Sequence, residues 1–308
     1  MSEALTSKQS KNHVLVTGAS SIIGQPVCHE LASNDFSITE ISRSSMHNVV
    51  SWDMLTGKGS ELIAKKVAGE KDGFNLIHCA PIWFLPQHIE WLASLGLRRM
   101  IVFSSSSIEG KRDSKSQKEQ QIVDTLKTAE DGVVNACEAA NINLTIFRPT
   151  MIYGHGQGQN LAFIANVIRR FKCFPVVSQA MGLRQPVHAD DLAKAVVQAI
   201  DNENTFAKKY TLSGAEALPY KDIVKRIFIA MGYTPRVIEI NGTLYRFALR
   251  LAKLINKSLP VDPAMVDRMQ QDLNFNHDSA TRDFGYKPSV FLPNGAKDLI
   301  DLSSQKRC

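Results

Sequence analysis

The stretch from His13 to Ser33 constrains this chain more than any other. A short apolar run, His13-Val14-Leu15-Val16-Thr17, ends at Gly18. Ala19-Ser20-Ser21-Ile22-Ile23-Gly24 follows, and then a helical pattern begins at Gln25. This reads as strand, tight turn and helix at the head of a fold. Gly18 permits the turn. The free N–H groups and positive dipole of the helix N-terminus suit an anion such as a pyrophosphate, and Gly24 lets the helix pack closely on the sheet. Ser21 stands where a middle glycine is expected; its side chain is small and can donate to a phosphate oxygen. A strand-to-helix turn without a ligand would show the same glycines. The flanking strand and helix and the first-element position favour a dinucleotide held by Gly18, Ser20, Ser21, Ile22, Ile23 and Gly24.

The same alternation continues. Ile38 to Ser42, Val49 to Trp52, Phe74 to Ala80, Met100 to Ser104 and Leu144 to Phe147 read as strands. Gln25 to Ser33, Gly59 to Ala68, Leu85 to Leu95 and Gln120 to Ala140 read as helices between them. Near-continuous apolar strands alternating with helices predict an α/β fold, a Rossmann-type doubly wound parallel sheet covered on both faces. After Pro149 loops lengthen and helices dominate, with helices at Asp190 to Ile200 and Tyr220 to Met231 and short strands at Lys209 to Ser213 and Arg236 to Ile240. We therefore expect a flexible tail over residues 1–12. A dinucleotide-binding domain should span 13–155 with part of 180–215, and a smaller C-terminal α/β cap should occupy most of 156–308.

Charge and cysteine usage narrow the class. The 308 residues carry a net charge of +6 with a pI near 9.0. The Lys and Arg residues are scattered, which suits an anionic small ligand and argues against nucleic acid. Of five cysteines, Cys28, Cys79, Cys137 and Cys173 lie in apolar stretches and Cys308 ends the chain. No CxxC pair occurs, so reduced core thiols and a cytoplasmic setting are expected. Met1 to Asn12 has no apolar signal region, and no apolar run is long enough to span a bilayer. The histidines show no metal-ligand spacing and no GxSxG elbow is present, so neither a metal centre nor a serine hydrolase is expected.

An acidic residue at the end of the second strand would bind a ribose 2′-hydroxyl. Here Ile41-Ser42-Arg43-Ser44-Ser45 places a cation and hydroxyls there. That favours a 2′-phosphate, hence NADP(H) over NAD(H), although a solvated surface Arg43 is the plain alternative. Asp53 could reach an adenine amino group, or serve as a turn residue.

Beyond these local signals the chain resembles the extended short-chain dehydrogenase/reductase family, the NAD-dependent epimerases and dehydratases that modify nucleotide-sugars. Thr17 to Gly24 resembles its TGxxGxxG turn, and Leu76-Ile77-His78-Cys79-Ala80 its VIHxAA strand. Met100 to Gly110 resembles VFxSSxxVYG, and Thr145-Ile146-Phe147-Arg148-Pro149-Thr150-Met151-Ile152-Tyr153-Gly154 is similar to TILRPxxVYG. Arg184-Gln185-Pro186-Val187-His188-Ala189-Asp190-Asp191-Leu192-Ala193 and His277 to Pro288 are similar to its closing motifs. The resemblance implies that Cys79, Ala80, Pro81, Ser104, Pro149 and Met151 line the cofactor, and that Ser105 sits at the substrate-side hydroxyl position. It implies that Asn160 and Arg184 contact the diphosphate of a nucleotide-sugar, and that His188 and Asp190 are structural. A homodimer is compatible with it.

One element of that family is missing. Its chemistry needs Tyr and Lys at i and i+4 on one helix, the ammonium lowering the tyrosine pKa for proton transfer. No Tyr occurs before residue 153. Matching Glu130 and Cys137 to the family's helix puts the pair at Ile122 and Leu126; a one-residue slip gives Val123 and Lys127. Both registers cannot hold, because one helical position turns a side chain by about 100°. Lys127 would bind the ribose only in the slipped one. We expect Ile122 and Leu126 to face an apolar cleft. Three readings stay open: a cofactor-binding regulator, redox sensor or scaffold; catalysis through Ser105, Ser106, Tyr153 or His155; or a reaction that needs no such acid. Glu109 to Gln121 reads as a polar, mobile loop. Asn241 to Leu259 reads as a basic amphipathic helix. Such a helix could lie on an anionic membrane or dock a partner, and covering the cap core is the expected role.

Overall fold

The structure, a computed structural model, describes residues 13–43, 49–112, 114, 116–178, 180–255 and 269–300. The expected tail, Ser44 and Ser45, the end of the amphipathic helix and Cys308 lie outside the described residues. In chain order the elements begin β1 (His13–Thr17), α1 (Gly24–Ser33), β2 (Ile38–Ser42), β3 (Val50–Ser51), α2 (Ser60–Val67) and β4 (Phe74–His78). Next come α3 (Ile89–Ser94), β5 (Leu97–Phe103), α4 (Ser107–Gly110), α5 (Gln117–Ala139), β6 (Asn143–Pro149) and β7 (Ile152–Tyr153). Then follow α6 (Gln159–Phe171), β8 (Phe174–Val177), β9 (Leu183–Arg184), β10 (Val187–His188), α7 (Ala189–Ile200) and β11 (Lys208–Leu212). The last are β12 (Leu218–Pro219), α8 (Tyr220–Ala230), β13 (Val237–Ile240), α9 (Gly242–Ile255) and α10 (Asp278–Phe284).

Seven strands form one sheet in the order β11-β6-β5-β4-β1-β2-β3, and every pairing is parallel. The strands can be buried on both faces because both residue sets along them are apolar. Val14, Val16, Ile77, Ile101 and Phe147 face the layer of α1, α7 and α10 through Val27, Leu31, Leu192, Val196 and Phe284. Leu15, Leu76, Met100, Val102 and Ile146 face the layer of α2, α3 and α5 through Ile63, Leu92, Leu126 and Val133. The doubly wound sheet is as expected. The order in which successive strands are added reverses between β1 and β4, and that switch opens a crevice at their carboxyl ends.

A third apolar cluster makes the cap. Leu161, Ile164 and Ile168 of α6, Phe174 and Val176 of β8, and Ile223, Ile227 and Phe228 of α8 pack together, with β13 paired in parallel to β8.

The strand expected at Lys209 to Ser213 is the seventh strand of the main sheet, hydrogen-bonded to β6, and α7 lies against α1. Other elements differ from expectation. The single helix expected at Leu85 to Leu95 is broken into short 3-10 turns at Ile82–Phe84 and Pro86–His88 before α3. Pro86 has no N–H, so it can open a helical turn and cannot sit inside one. The polar loop expected to reach Gln121 stops earlier: α5 begins at Gln117, and Ser114 Oγ donates to Glu119 at 2.6 Å across its start. In α9, Leu244, Phe247 and Leu254 were expected to cover core and instead face outward, while Tyr245 and Leu249 point in. Three of the cysteines expected to be core thiols, Cys28, Cys79 and Cys137, are buried, and Cys173 is half-buried.

Candidate functional site

The turn between β1 and α1 sits at the crevice, and its glycines are required by sterics. Gly18 has φ +70°, and a Cβ there would lie 2.6 Å from the Ala80 nitrogen. A Cβ on Gly24 would lie 2.1 Å from the Gly18 carbonyl oxygen. The turn is thus pressed against the end of β4, where Cys79 N–H donates to Thr17 O at 2.9 Å. Ser21 does not copy the glycine it replaces. Its Oγ accepts the Gly24 N–H at 3.0 Å and donates to Cys79 O at 3.4 Å, so it caps α1 from within the turn. Among the described residues, no acceptor meets the amides of Ile22 and Ile23. Two donors at the N-terminus of a ten-residue helix form an anion cradle.

Under the cradle, His78 is fully buried and fixed at both ring nitrogens. Thr17 Oγ1 lies 2.7 Å from its Nδ1 and Pro81 O lies 3.3 Å from its Nε2. Burial lowers its pKa to about 4, so the ring is neutral near neutral pH and holds the end of β4 to β1. The Cys79 thiol is pushed well above its ordinary value by burial and stays protonated. Ala80 is half-buried and Pro81 exposed on the rim of the crevice.

The second strand meets the cradle directly, Ser20 Oγ lying 3.0 Å from Ser42 Oγ. Arg43 follows, exposed. Asp53 is nearby, but its carboxylate accepts the Leu55 N–H at 3.0 Å and the Thr56 hydroxyl at 2.9 Å. Those two bonds hold its pKa down and make it the organiser of its own turn.

At the end of β5, Ser104 N–H donates to Phe147 O at 2.8 Å and Ser106 N–H to Pro149 O at 3.1 Å, so the serine run is bound to β6. Ser105 Oγ accepts the Ser107 N–H at 3.1 Å and keeps a hydroxyl hydrogen to donate. Pro149 is buried and Met151 half-buried beyond it.

The helix that crosses this end is held in one register. Arg148 donates from Nε to Glu130 Oε1 at 2.9 Å and from Nη2 to Glu130 Oε2 at 2.6 Å. Lys209 Nζ adds a 3.2 Å bond to Glu130, and Arg148 Nη1 a 2.8 Å bond to Glu109. This bidentate pair ties α5 to β6 and β11. Burial opposes the Glu130 charge, and the bonds from Arg148 and Lys209 outweigh it and lower its pKa. With Glu130 so fixed, Ile122 is 38% exposed and Leu126 only 5%. The expectation that both line a cleft is corrected: Leu126 packs in the core beneath β5, among the residues around Ile108 and Val102. Lys127 is exposed, one position round the helix from Leu126.

The remaining sequence candidates scatter. Tyr153 is buried in the cap, its hydroxyl accepting the Leu292 N–H at 2.9 Å, and burial raises its pKa. Arg184 is buried, and its Nη1 donates to Leu183 O at 2.7 Å and Gln271 O at 2.6 Å, so a diphosphate would have to compete with two carbonyls. Asn160 is exposed in the first turn of α6.

A cluster that chain spacing hid lies on the other side of the cradle. His155, at φ +53° between glycines, places Nε2 2.6 Å from Asp190 Oδ1. His188 accepts the Asp190 N–H on Nδ1 at 3.2 Å and has Nε2 3.1 Å from Asp298. The ligand atoms of His155, His188 and Asp190 lie within 4.8 Å of one another, yet His155 is too far in sequence from His188 and Asp190 for a spacing motif to reveal the three together. The loop they share reaches the cradle, since Gln157 donates to Gln25 at 3.2 Å.

Comparisons with known proteins agree with this fold. Residues 87–212 match the sequence profile described as the NAD dependent epimerase/dehydratase family. Met100 to Gly110, Thr145 to Gly154 and Arg184 to Ala193 fall within that span. The chain is 22% identical to a UDP-glucose 4-epimerase of Vibrio cholerae, over 68% of this chain and 64% of that protein. It is 21% identical to a 2-alkyl-3-oxoalkanoate reductase of Stenotrophomonas maltophilia, over 93% of this chain and 98% of that one. Among solved structures, the UDP-glucuronic acid 4-epimerase of Bacillus cereus, in complex with UDP-glucuronic acid and NAD, superposes with a TM-score of 0.69 at 18% identity, covering 96% of this chain and 99% of that one. The NAD complex of the Thermus thermophilus UDP-glucose 4-epimerase gives 0.68 at 14% identity, covering 94% and 98%. At these identities the superpositions establish the fold.

Proposed function

We propose that the chain is of the extended short-chain dehydrogenase/reductase type, supported by its ordered motifs, the family match and the fold, and that it binds a nicotinamide dinucleotide across the carboxyl ends of β1, β4 and β5. The observation that carries this reading is the cradle: two glycines that admit no Cβ and two amides with no described acceptor at a helix N-terminus. Ser21 fits the group, because it consumes only the Gly24 amide and leaves those of Ile22 and Ile23 for a pyrophosphate. NADP(H) is the preferred form, with Arg43 beside the Ser20–Ser42 contact taking the 2′-phosphate. The substrate class is a nucleotide-sugar, in keeping with the epimerases to which the chain is similar. Asn160 is the exposed candidate for its diphosphate, and the compartment is cytoplasmic.

When bound, a nicotinamide gives or takes a hydride. The chain's own part is to hold the ring against the end of β5, to exclude water with Pro149 and Met151, and to donate from Ser105 to a substrate oxygen. Proton transfer is where it departs from its relatives' family. We read α5 in the register that matches Ile122 and Leu126 to the Tyr and Lys, and the Glu130–Arg148 pair, which ties that helix to β6, supports this reading. Neither side chain can exchange a proton. That observation favours a second reading, a cofactor-binding regulator, redox sensor or scaffold without turnover. Calorimetric titration with NADP(H) and NAD(H), followed by absorbance assays with UDP-sugars, separates the two. Saturable binding with no turnover supports the second; turnover supports the first; no binding of either nucleotide refutes both.

A further inference from the structure

We propose that the outer face of the cap rests on an anionic lipid surface. Six large apolar side chains stand there in water: Phe171, Ile229, Ile238, Leu244, Phe247 and Leu254 are between 49% and 74% exposed. They belong to contiguous elements. Ile238 of β13 pairs with Pro175 of β8, whose carbonyl accepts from the α9 residue Tyr245 at 3.3 Å. Phe174 N–H donates to Arg236 O at 3.0 Å, and Lys172 Nζ lies 3.6 Å over the ring of Tyr233, the residue after Gly232, whose N–H donates to the Ile229 carbonyl. The patch therefore runs from the end of α6 across the small sheet to α9. Its α9 stripe is distinct from the stripe that packs inward through Tyr245 and Leu249. Burying the inward stripe leaves the outer one unpaired within the fold.

Charge selects the occupant. Residues 160–188, 223–238 and 240–261 contain no Asp or Glu, and all three runs carry Lys or Arg. Arg169, Arg170, Lys172 and Arg236 are exposed beside Phe171 and Ile238. Arg246, Arg250 and Lys253 recur along α9. Aromatic and aliphatic tips set among cations, with Glu239, paired to Lys221, the one acid between residues 223 and 261, match a bilayer interface, where acyl boundary and anionic headgroups satisfy both kinds of side chain. A second copy would bring two such cationic faces together across a two-fold axis. Nucleic acid would meet the cations and leave the six apolar side chains wet. No described helix is long and apolar enough to cross a membrane, so the contact is interfacial.

The test is co-sedimentation of the full chain with phosphatidylcholine vesicles and with vesicles also containing phosphatidylglycerol. Binding should require the anionic lipid and weaken with salt. Leu244→Glu with Phe247→Glu should reduce the partition coefficient more than tenfold, and each of Arg169→Gln and Arg170→Gln about fivefold, the equivalent of about 1 kcal/mol per surface cation. Should the α9 variant melt early, Phe171→Ser on a separate element must lower partitioning with the melt unchanged. Equal binding to neutral vesicles, indifference to all these substitutions, tighter binding to duplex DNA than to vesicles, or a dimer in sedimentation abolished by Phe247→Glu would each overturn the proposal.

Discussion

Glu130→Ala probes the contact that fixes the register of α5. Glu130 is buried, accepts two hydrogen bonds from Arg148 and one from Lys209, and joins α5 to β6 and β11. Removing it leaves the mostly buried Arg148 guanidinium with Glu109 alone, whose side chain is 48% exposed. Breaking one side of a buried pair costs about 3–5 kcal/mol, because the surviving charge stays out of water. At ~2–4 °C per kcal/mol, the midpoint of thermal unfolding should fall by roughly 10 °C. Arg148→Met in the same chain should recover part of the loss, giving a non-additive double-mutant cycle. The pH dependence has a definite sign. Glu130's folded pKa lies below its unfolded value, so its contribution is present above the unfolded pKa and is lost as pH falls through the folded one. The gap between wild type and Glu130→Ala should close in acid. A loss below about 1 kcal/mol at neutral pH, or an additive cycle, refutes the reasoning.

Arg43→Ala should weaken NADP binding by about tenfold or more, as loss of one charge-assisted contact implies, with NAD affinity unchanged; calorimetry with both nucleotides checks it. Leu126→Lys should lower the unfolding midpoint by several degrees because it drives an ammonium into packed core, whereas Ile122→Tyr at the exposed neighbour should leave the melt within about 1 kcal/mol of wild type. Tyr153→Phe should leave any turnover intact, since that hydroxyl only accepts the Leu292 N–H inside the cap, and steady-state assays would show it.

Where one face or one turn sets the answer, the chain could be read directly. β1, β4, β5 and β6 announce themselves because both faces of a covered parallel strand must be apolar, and the cradle because Gly18 and Gly24 sit where no Cβ fits. β11 was harder. A short strand after a helix gives no sign of whether it joins the main sheet or a small one, and only its pairing with β6 decides. α9 misled because a helical stripe of Leu and Phe reads the same whether it meets core or water. Leu126 likewise looks like a cleft residue from its motif position and is core by its packing. The His155–Asp190–His188 cluster depends on a loop with positive φ closing over a helix start, a contact no local periodicity encodes.

The central proposal is that a working dinucleotide cradle at the start of α1 is joined to an α5 without the family's Tyr–Lys pair. Its most direct test is calorimetric titration of NADPH into the unmodified chain and into Gly24→Ala, whose new Cβ would sit 2.1 Å from the Gly18 carbonyl oxygen. Saturable binding to the first and none to the second is the expected result. No binding to the unmodified chain, or equal binding to both, would contradict the account.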